Sequence, residues 1–150
     1  MPDAFDRLIA DMKRLTASAR VGALDEENAR KLAYQEFGTV TIPMRPTLSV
    51  TTDRLEPAIN RAINRRLRDV IDGKGSASGE AILRAVGEDL REEVVAAIED
   101  NTPPALAPST LANRRARGNP STRTLVDTGK MRDSIKVETK AGAGDWADGE

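Results

Sequence analysis

At 150 residues the chain has the size of one domain, able to bury about two-thirds of its unfolded surface. It contains no cysteine and no histidine, which excludes disulfides, thiolate catalysis and cysteine-ligated zinc and removes the commonest general acid–base group. Charged residues make up 31% of the chain with a formal net charge of −1, an interleaved balance unlike the basic surplus of a protein that relies on phosphate contacts.

With only two Phe, one Tyr and one Trp, the core must be aliphatic. No apolar run approaches the roughly 18 residues of a membrane span. The start Met1-Pro2-Asp3 lacks a signal-peptide pattern, so the chain is expected to fold in the cytoplasm.

Phe5, Leu8, Ile9, Met12 and Leu15 recur every three or four residues and predict an amphipathic helix capped by Asp3. Its apolar face suits either the core of the chain or a neighbouring subunit. Residues 20–24 form a short apolar segment with the character of a strand. Asp25 is placed to cap a second helix over Glu26–Glu36, with Ala29, Leu32, Ala33 and Phe37 along one side and Gly38 as its stop. Pro43 and Pro46 make residues 39–50 an extended arm or loop.

Leu55, Ile59, Ile63, Leu67 and Val70 then predict a long helix with Pro57 in its first turn. A Gly/Ser turn over residues 72–79 leads to a helix capped by Ser78 with Ile82, Val86, Leu90, Val94 and Ile98 on one face. The two make a helical hairpin. Beyond a proline-rich connection at 103–108, Ser109 is expected to cap a short helix closed by Gly118, and Thr128 to cap one further turn. Ile135 to Thr139 alternates apolar and polar residues, as a half-buried strand does. Residues 141–150, with Trp146 among them, are expected to be a disordered tail outside the core. The expected fold is α+β and mostly helical: a long helical hairpin packed with a small β-sheet and extended proline-containing arms, in a single domain over 1–140.

No constellation points to catalysis. Ser109, Ser121 and Ser134 have no histidine partner, and Glu88 with Glu92 has the spacing of an ordinary exposed helix face. Asp145 and Asp148 do not fit a calcium loop, and no phosphate-cradling loop is present. No catalytic residue, cofactor site or metal site is expected. The main charged feature is a stripe of Arg54, Arg61, Arg65 and Arg68 on one side of the first long helix. It can contact phosphates without base specificity, or pair with Glu88, Glu92, Glu93 and Glu99 of the next helix. A second basic group, Arg114, Arg115, Arg117 and Arg123, has no interleaved aromatic residue for base stacking and suits a solvated face or an acidic protein partner.

Two blocks remain. One is Tyr34-Gln35-Glu36-Phe37-Gly38-Thr39 followed by Ile42-Pro43-Met44-Arg45-Pro46. The other is Pro103-Pro104-Ala105-Leu106-Ala107-Pro108-Ser109-Thr110-Leu111, then Leu125-Val126-Asp127-Thr128-Gly129-Lys130-Met131 through Ile135. In this order, over residues 21–137, the chain resembles the neck and tail-completion proteins of tailed phages, a group described as virion morphogenesis or minor tail proteins. It departs from them in carrying Thr47 where relatives often have an aromatic residue, and in a short stretch between Val21 and Tyr34.

The resemblance implies a non-catalytic structural protein of the virion neck, either in tail completion or as a terminator capping the tail tube. It implies a homo-oligomeric ring, usually a hexamer, between head-closure or connector proteins and the tail, on the channel through which DNA leaves the head. The subunit and partner contacts it suggests are Phe37, Gly38, Thr39, Ile42, Pro43, Arg45, Pro46, Pro108, Ser109, Asp127, Thr128, Gly129 and Met131. In such a ring Arg54, Arg61, Arg65 and Arg68 become candidates to face DNA.

Overall fold

A computed structural model describes residues 1, 3–144 and 146. Among these residues the order of elements is α1 (Ala4–Leu15), β1 (Ala17–Ala23), α2 (Glu26–Phe37), α3 (Leu48–Ile71), α4 (Gly79–Glu99), α5 (Pro108–Ala116), α6 (Lys130–Asp133) and β2 (Ile135–Ala141). The strands pair as a two-stranded antiparallel sheet. The fold is α+β with a small sheet, as the sequence pattern predicts. The described residues gather into two compact units, one from residues 1–20, 56–89 and 137–150 and the other from 21–55 and 90–136.

In the first unit, α1 begins with a complete capping box. The Asp3 carboxylate accepts from the Asp6 N–H at 2.8 Å while Asp6 accepts from the Asp3 N–H, satisfying donors that the first turn leaves orphaned. The helix is held at its far end, where Arg14 Nη1 donates to the Ser76 carbonyl at 2.9 Å. There the backbone of Leu15 lies so close to Gly79 that a Cβ on that glycine would fall 2.0 Å from the Leu15 carbonyl oxygen. Only glycine fits. Val70, Ile82 and Val86 are the buried apolar residues of this unit. The α1 face is not among them: Phe5, Leu8 and Met12 are 66%, 55% and 61% exposed.

The sheet is tied across its strands by Arg20, whose Nη2 donates to Glu138 Oε2 at 2.8 Å. Thr139 Oγ1 donates to Glu80 at the start of α4 at 2.9 Å and accepts from Arg84. Here the sequence expectation needs correcting. β2 runs through Ala141, and Trp146 packs beside it, with Arg20 Cζ and Lys140 Nζ 4.6 and 4.7 Å from its ring centroid. Cation–π attraction thus draws part of the expected tail onto the sheet. Asp145 and residues 147–150, which belong to that expectation, lie outside the described residues.

In the second unit Leu32, Val94, Ile98, Leu125, Met131 and Ile135 form the core, with Val21, Leu48, Leu90 and Val126 packed on it. It is wholly aliphatic apart from methionine, as the shortage of aromatic residues requires. Asp25 caps α2 through the Asn28 N–H at 2.9 Å, and that bond holds its carboxyl below the usual carboxylate range. Gly38 ends α2 at φ +71°, where a Cβ would crowd the Met44 N–H and the Ile42 carbonyl. Phe37 does not join the inner face of α2 and is 80% exposed. Glu36 takes the inward position one turn after Leu32, and the next residue is turned about 100° further round the helix.

Three boundaries differ from the sequence pattern. Helix α3 starts at Leu48, so Pro57 lies inside it and not in its first turn. The cause is a cap from a distant residue. Glu36 Oε2 accepts from the N–H groups of Thr47 (3.0 Å) and Leu48 (3.1 Å), and Oε1 accepts from the N–H (2.8 Å) and hydroxyl of Ser49. Ser109 is not the cap of α5: the N-cap is Ala107, with Pro108 in the first turn and no side-chain cap bond. Thr128 does not cap α6, whose N-cap is Gly129 at φ +82°.

Burial alone would raise the Glu36 carboxyl, but the bonds from Ser49, Thr47 and Leu48 outweigh it and hold the group below its ordinary value. A depressed carboxyl contributes stability that is present above its unfolded pKa of about 4.3 and is lost as pH falls through the folded value. Glu36→Gln is expected to cost about 1–3 kcal/mol at neutral pH. In urea titrations the wild type should lose stability below about pH 4 more steeply than the variant. Parallel pH profiles for the two proteins would show that Glu36 does not cap α3 as a carboxylate.

Candidate functional site

The two sequence blocks are distant in the chain, and Arg45 brings them together. Its Nε donates to the Pro104 carbonyl at 2.8 Å, Nη2 to the Ala105 carbonyl at 3.3 Å and Nη1 to Gln35 Oε1 at 3.3 Å. Its backbone N–H donates to the Gln35 carbonyl at 2.6 Å. A proline-rich segment has few N–H groups and cannot pair as a strand, so its carbonyls need other donors. The guanidinium fork supplies them. Burial, with the charge of nearby Arg114, lowers the Arg45 pKa from its usual value, although an arginine stays protonated over any ordinary pH range.

The second hub is Arg114. The sequence pattern placed it on a solvated or partner-facing surface, but it is buried. Nη1 donates to the carbonyls of Ser121 (3.2 Å), Arg123 (2.8 Å) and Val126 (3.2 Å). The loop after α5 is wrapped around this one side chain. Asp127 closes the loop: it sits 3.4 Å from Arg114 Nε and 3.2 Å from Arg117 Nη2, and accepts from Asn119 Nδ2 at 2.7 Å.

The candidate contact residues therefore divide. Arg45, Gly129 and Met131 are buried and hold the fold of their own chain. Gly38, Ile42, Pro46 and Asp127 are half-buried. Phe37, Thr39, Pro43, Pro108, Ser109 and Thr128 are exposed. Residues 39–47 are not a free arm. Thr39 N–H donates to the Ile42 carbonyl at 2.8 Å, and the Thr39 hydroxyl accepts from the Ile42 N–H at 3.0 Å, folding the segment into a turn anchored by Arg45. Phe37, Val40 and Met44 are left exposed around that turn.

The arginine stripe also divides. Arg54 Nη2 binds Glu93 Oε2 at 2.9 Å, the pairing with the next helix that the sequence allowed. Glu99 instead takes Arg132, at 3.0 Å. Arg61, Arg65 and Arg68 are exposed, have no carboxylate partner among the described residues, and line a shallow hollow with Asn64, Asp69 and Asp72. Among the described residues no group of three or more acidic side chains could hold a metal ion, and no helix is long and apolar enough to cross a membrane.

Sequence reasoning missed Glu36 as a remote helix cap and Arg114 as the centre of a loop. The signal for Glu36 was its spacing, four residues after the core position Leu32. Arg114 had no signal, because its partners other than Asp127 are backbone carbonyls. Comparison with known proteins finds no matching family model, no matching curated protein and no matching solved structure.

Arg45→Lys removes the fork but keeps the charge, and is expected to cost about 2–3 kcal/mol. Arg115→Lys, at an exposed position of the same unit, should stay within about 0.5 kcal/mol of wild type. Equal unfolding midpoints for the two variants in urea would remove Arg45 from its role as the link between the blocks.

Proposed function

We propose that the chain is a structural, non-catalytic subunit of the head-to-tail connection of a tailed phage, acting in neck or tail completion within a homo-oligomeric ring around the DNA exit channel. The observation that carries this reading is the placement of its scarce aromatic residues. The chain has two phenylalanines, and both are exposed: Phe5 at 66% and Phe37 at 80%. Leu8 and Met12 lie three and seven residues after Phe5 on the same helix, and Val40 and Met44 lie three and seven residues after Phe37; all four are exposed as well. Large rigid side chains exposed in clusters mark association surfaces. Two different patches on one chain suit a head-to-tail contact, which closes into a ring when its rotation allows.

The ordered sequence blocks favour the same reading. Arg45 joins them into one structural unit, as expected of residues that work together. A terminator capping the tail tube has the same requirements and is the alternative position for such a ring. In either ring Arg61, Arg65 and Arg68 of each copy would add up to a basic band able to contact passing DNA without reading its sequence.

A stand-alone nucleic-acid-binding protein is the second reading, favoured by the same three unpaired arginines. The two readings differ in what the free protein does. A ring subunit should show weak DNA affinity as a free chain and should assemble with neighbouring neck and tail proteins, observable by native mass spectrometry and negative-stain microscopy. The Phe37→Asp/Val40→Asp variant should fold with stability within about 0.5 kcal/mol per site of wild type but fail to assemble. The Arg61→Glu/Arg65→Glu/Arg68→Glu variant should assemble or pass DNA poorly. Strong, salt-sensitive DNA binding by the free wild-type chain, together with assembly unaffected by the Phe37/Val40 changes, would favour the second reading over the first.

A further inference from the structure

The Asp127-Thr128-Gly129 stretch of the second block borders a cavity of about 430 Å³ in the second unit, within the range of small-molecule sites. Four cations line it: Lys31, Arg114, Arg117 and Lys130. Asp127 is the one carboxylate in the lining, and it is engaged by Arg114, Arg117 and Asn119. Lys31 is paired with Glu27 on α2, at 2.5 Å. Lys130 forms no salt bridge of its own among the described residues, and its charge acts on the same Glu27. Four cations against Asp127 and Glu27 leave a surplus of two positive charges. Next along the chain, and outside the lining, Arg132 pairs with both Asp133 at 2.7 Å and Glu99 at 3.0 Å.

Two polar groups in the lining point the same way. Thr124 is 4% exposed, and its buried hydroxyl has no hydrogen-bond partner in the protein. A hydroxyl in that condition carries a desolvation cost that a ligand acceptor would relieve. Gln35 uses Oε1 to accept from Arg45, which leaves its amide N–H groups as donors.

We propose that this cavity binds a phosphate group, held by Lys31, Lys130, Arg117 and the Thr124 hydroxyl. A phosphate monoester, with a second pKa of about 6, is a dianion at neutral pH and matches the surplus of two charges; inorganic phosphate reaches the same dianion at mildly alkaline pH. A carboxylate supplies one negative charge and two acceptor oxygens, and leaves the surplus half answered. The phosphate can be free or part of a small monoester; a backbone diester carries one charge and, like a carboxylate, leaves the surplus half answered. The proposal does not depend on the ring reading.

Isothermal titration of the full chain at mildly alkaline pH with inorganic phosphate, against chloride and acetate at matched ionic strength, tests it. Phosphate should bind saturably and the other anions should not. Lys31→Ala/Lys130→Ala removes two exposed side chains and should weaken binding at least about tenfold with an unchanged circular dichroism spectrum. Thr124→Val is nearly isosteric and breaks no hydrogen bond within the protein, so it should weaken binding while the melting temperature holds. A short DNA duplex, whose phosphodiesters carry one charge each, should not compete; competition by the duplex that is lost in the double lysine variant would show that the site does not require a dianion and would overturn the proposal. Equal heats for phosphate, chloride and acetate, or full phosphate affinity in the double lysine variant, would overturn the proposal.

Discussion

Helix α3 could not begin where it does without a carboxylate supplied from elsewhere in the chain. Its first backbone donors, at Thr47, Leu48 and Ser49, all turn to Glu36. An anion at a helix N-terminus answers both the orphaned N–H groups and the positive end of the helix dipole. Because Glu36 is itself in the last turn of α2, the bond fixes where one helix ends relative to where the next begins. The intervening residues then have little freedom. Gly38 turns the chain, Thr39 closes on Ile42, and Arg45 is brought beside Gln35. The position of Arg45, and with it the meeting of the two sequence blocks, follows from that cap.

The second unit is organised by polar side chains to an unusual degree because much of it is neither helix nor strand. Residues 101–107 and 117–129 have no ladder in which to satisfy their carbonyls. Buried carbonyls must nevertheless find donors. Two arginines meet the demand, Arg45 for the proline-rich connection and Arg114 for the loop after α5. A buried guanidinium with neutral acceptors is costly to desolvate. It is tolerated here because each cation answers several carbonyls at once, and because Asp127 stands beside Arg114. The arrangement favours specificity of shape over gross stability, which suits the surface-presenting role proposed above.

Much of the architecture was legible in the sequence, for identifiable reasons. Regular spacing gave away the helices: Ile82, Val86, Leu90, Val94 and Ile98 are buried or half-buried as their period requires. Asp3, Asp25 and Ser78 do cap helices, since a cap acts on the N–H group two or three residues away. What failed was whatever depends on distant partners. The start of α3 was misplaced because its cap lies eleven residues or more upstream in the chain. Ser109 and Thr128 look like local caps, but Pro108 and a glycine at positive φ made other starts available. Arg114 read as a surface charge because sequence shows the guanidinium and not the carbonyls around it. Of the candidate contact residues, sequence could name the segment but not the side: Phe37 and Glu36 are adjacent, and one is outside and the other inside.

That exchange of sides bears on what α1 is for. A twelve-residue helix is marginal in water by itself and is normally sustained by burying its apolar stripe. Here the stripe is mostly exposed, and none of its residues is buried. The helix is instead secured by its capping box, by the Asp11–Arg14 pair and by the tight approach of Leu15 to Gly79. These fix its ends and leave its face open. The same division holds at Phe37, where polar bonds from Glu36 and Arg45 hold the backbone and the aromatic ring is left outside. In both places the fold does not need the largest apolar side chains for its own core, whose contents are aliphatic. On the function proposed above, these residues, held out by polar devices that the monomer must maintain, are the ones that a second surface would bury on assembly.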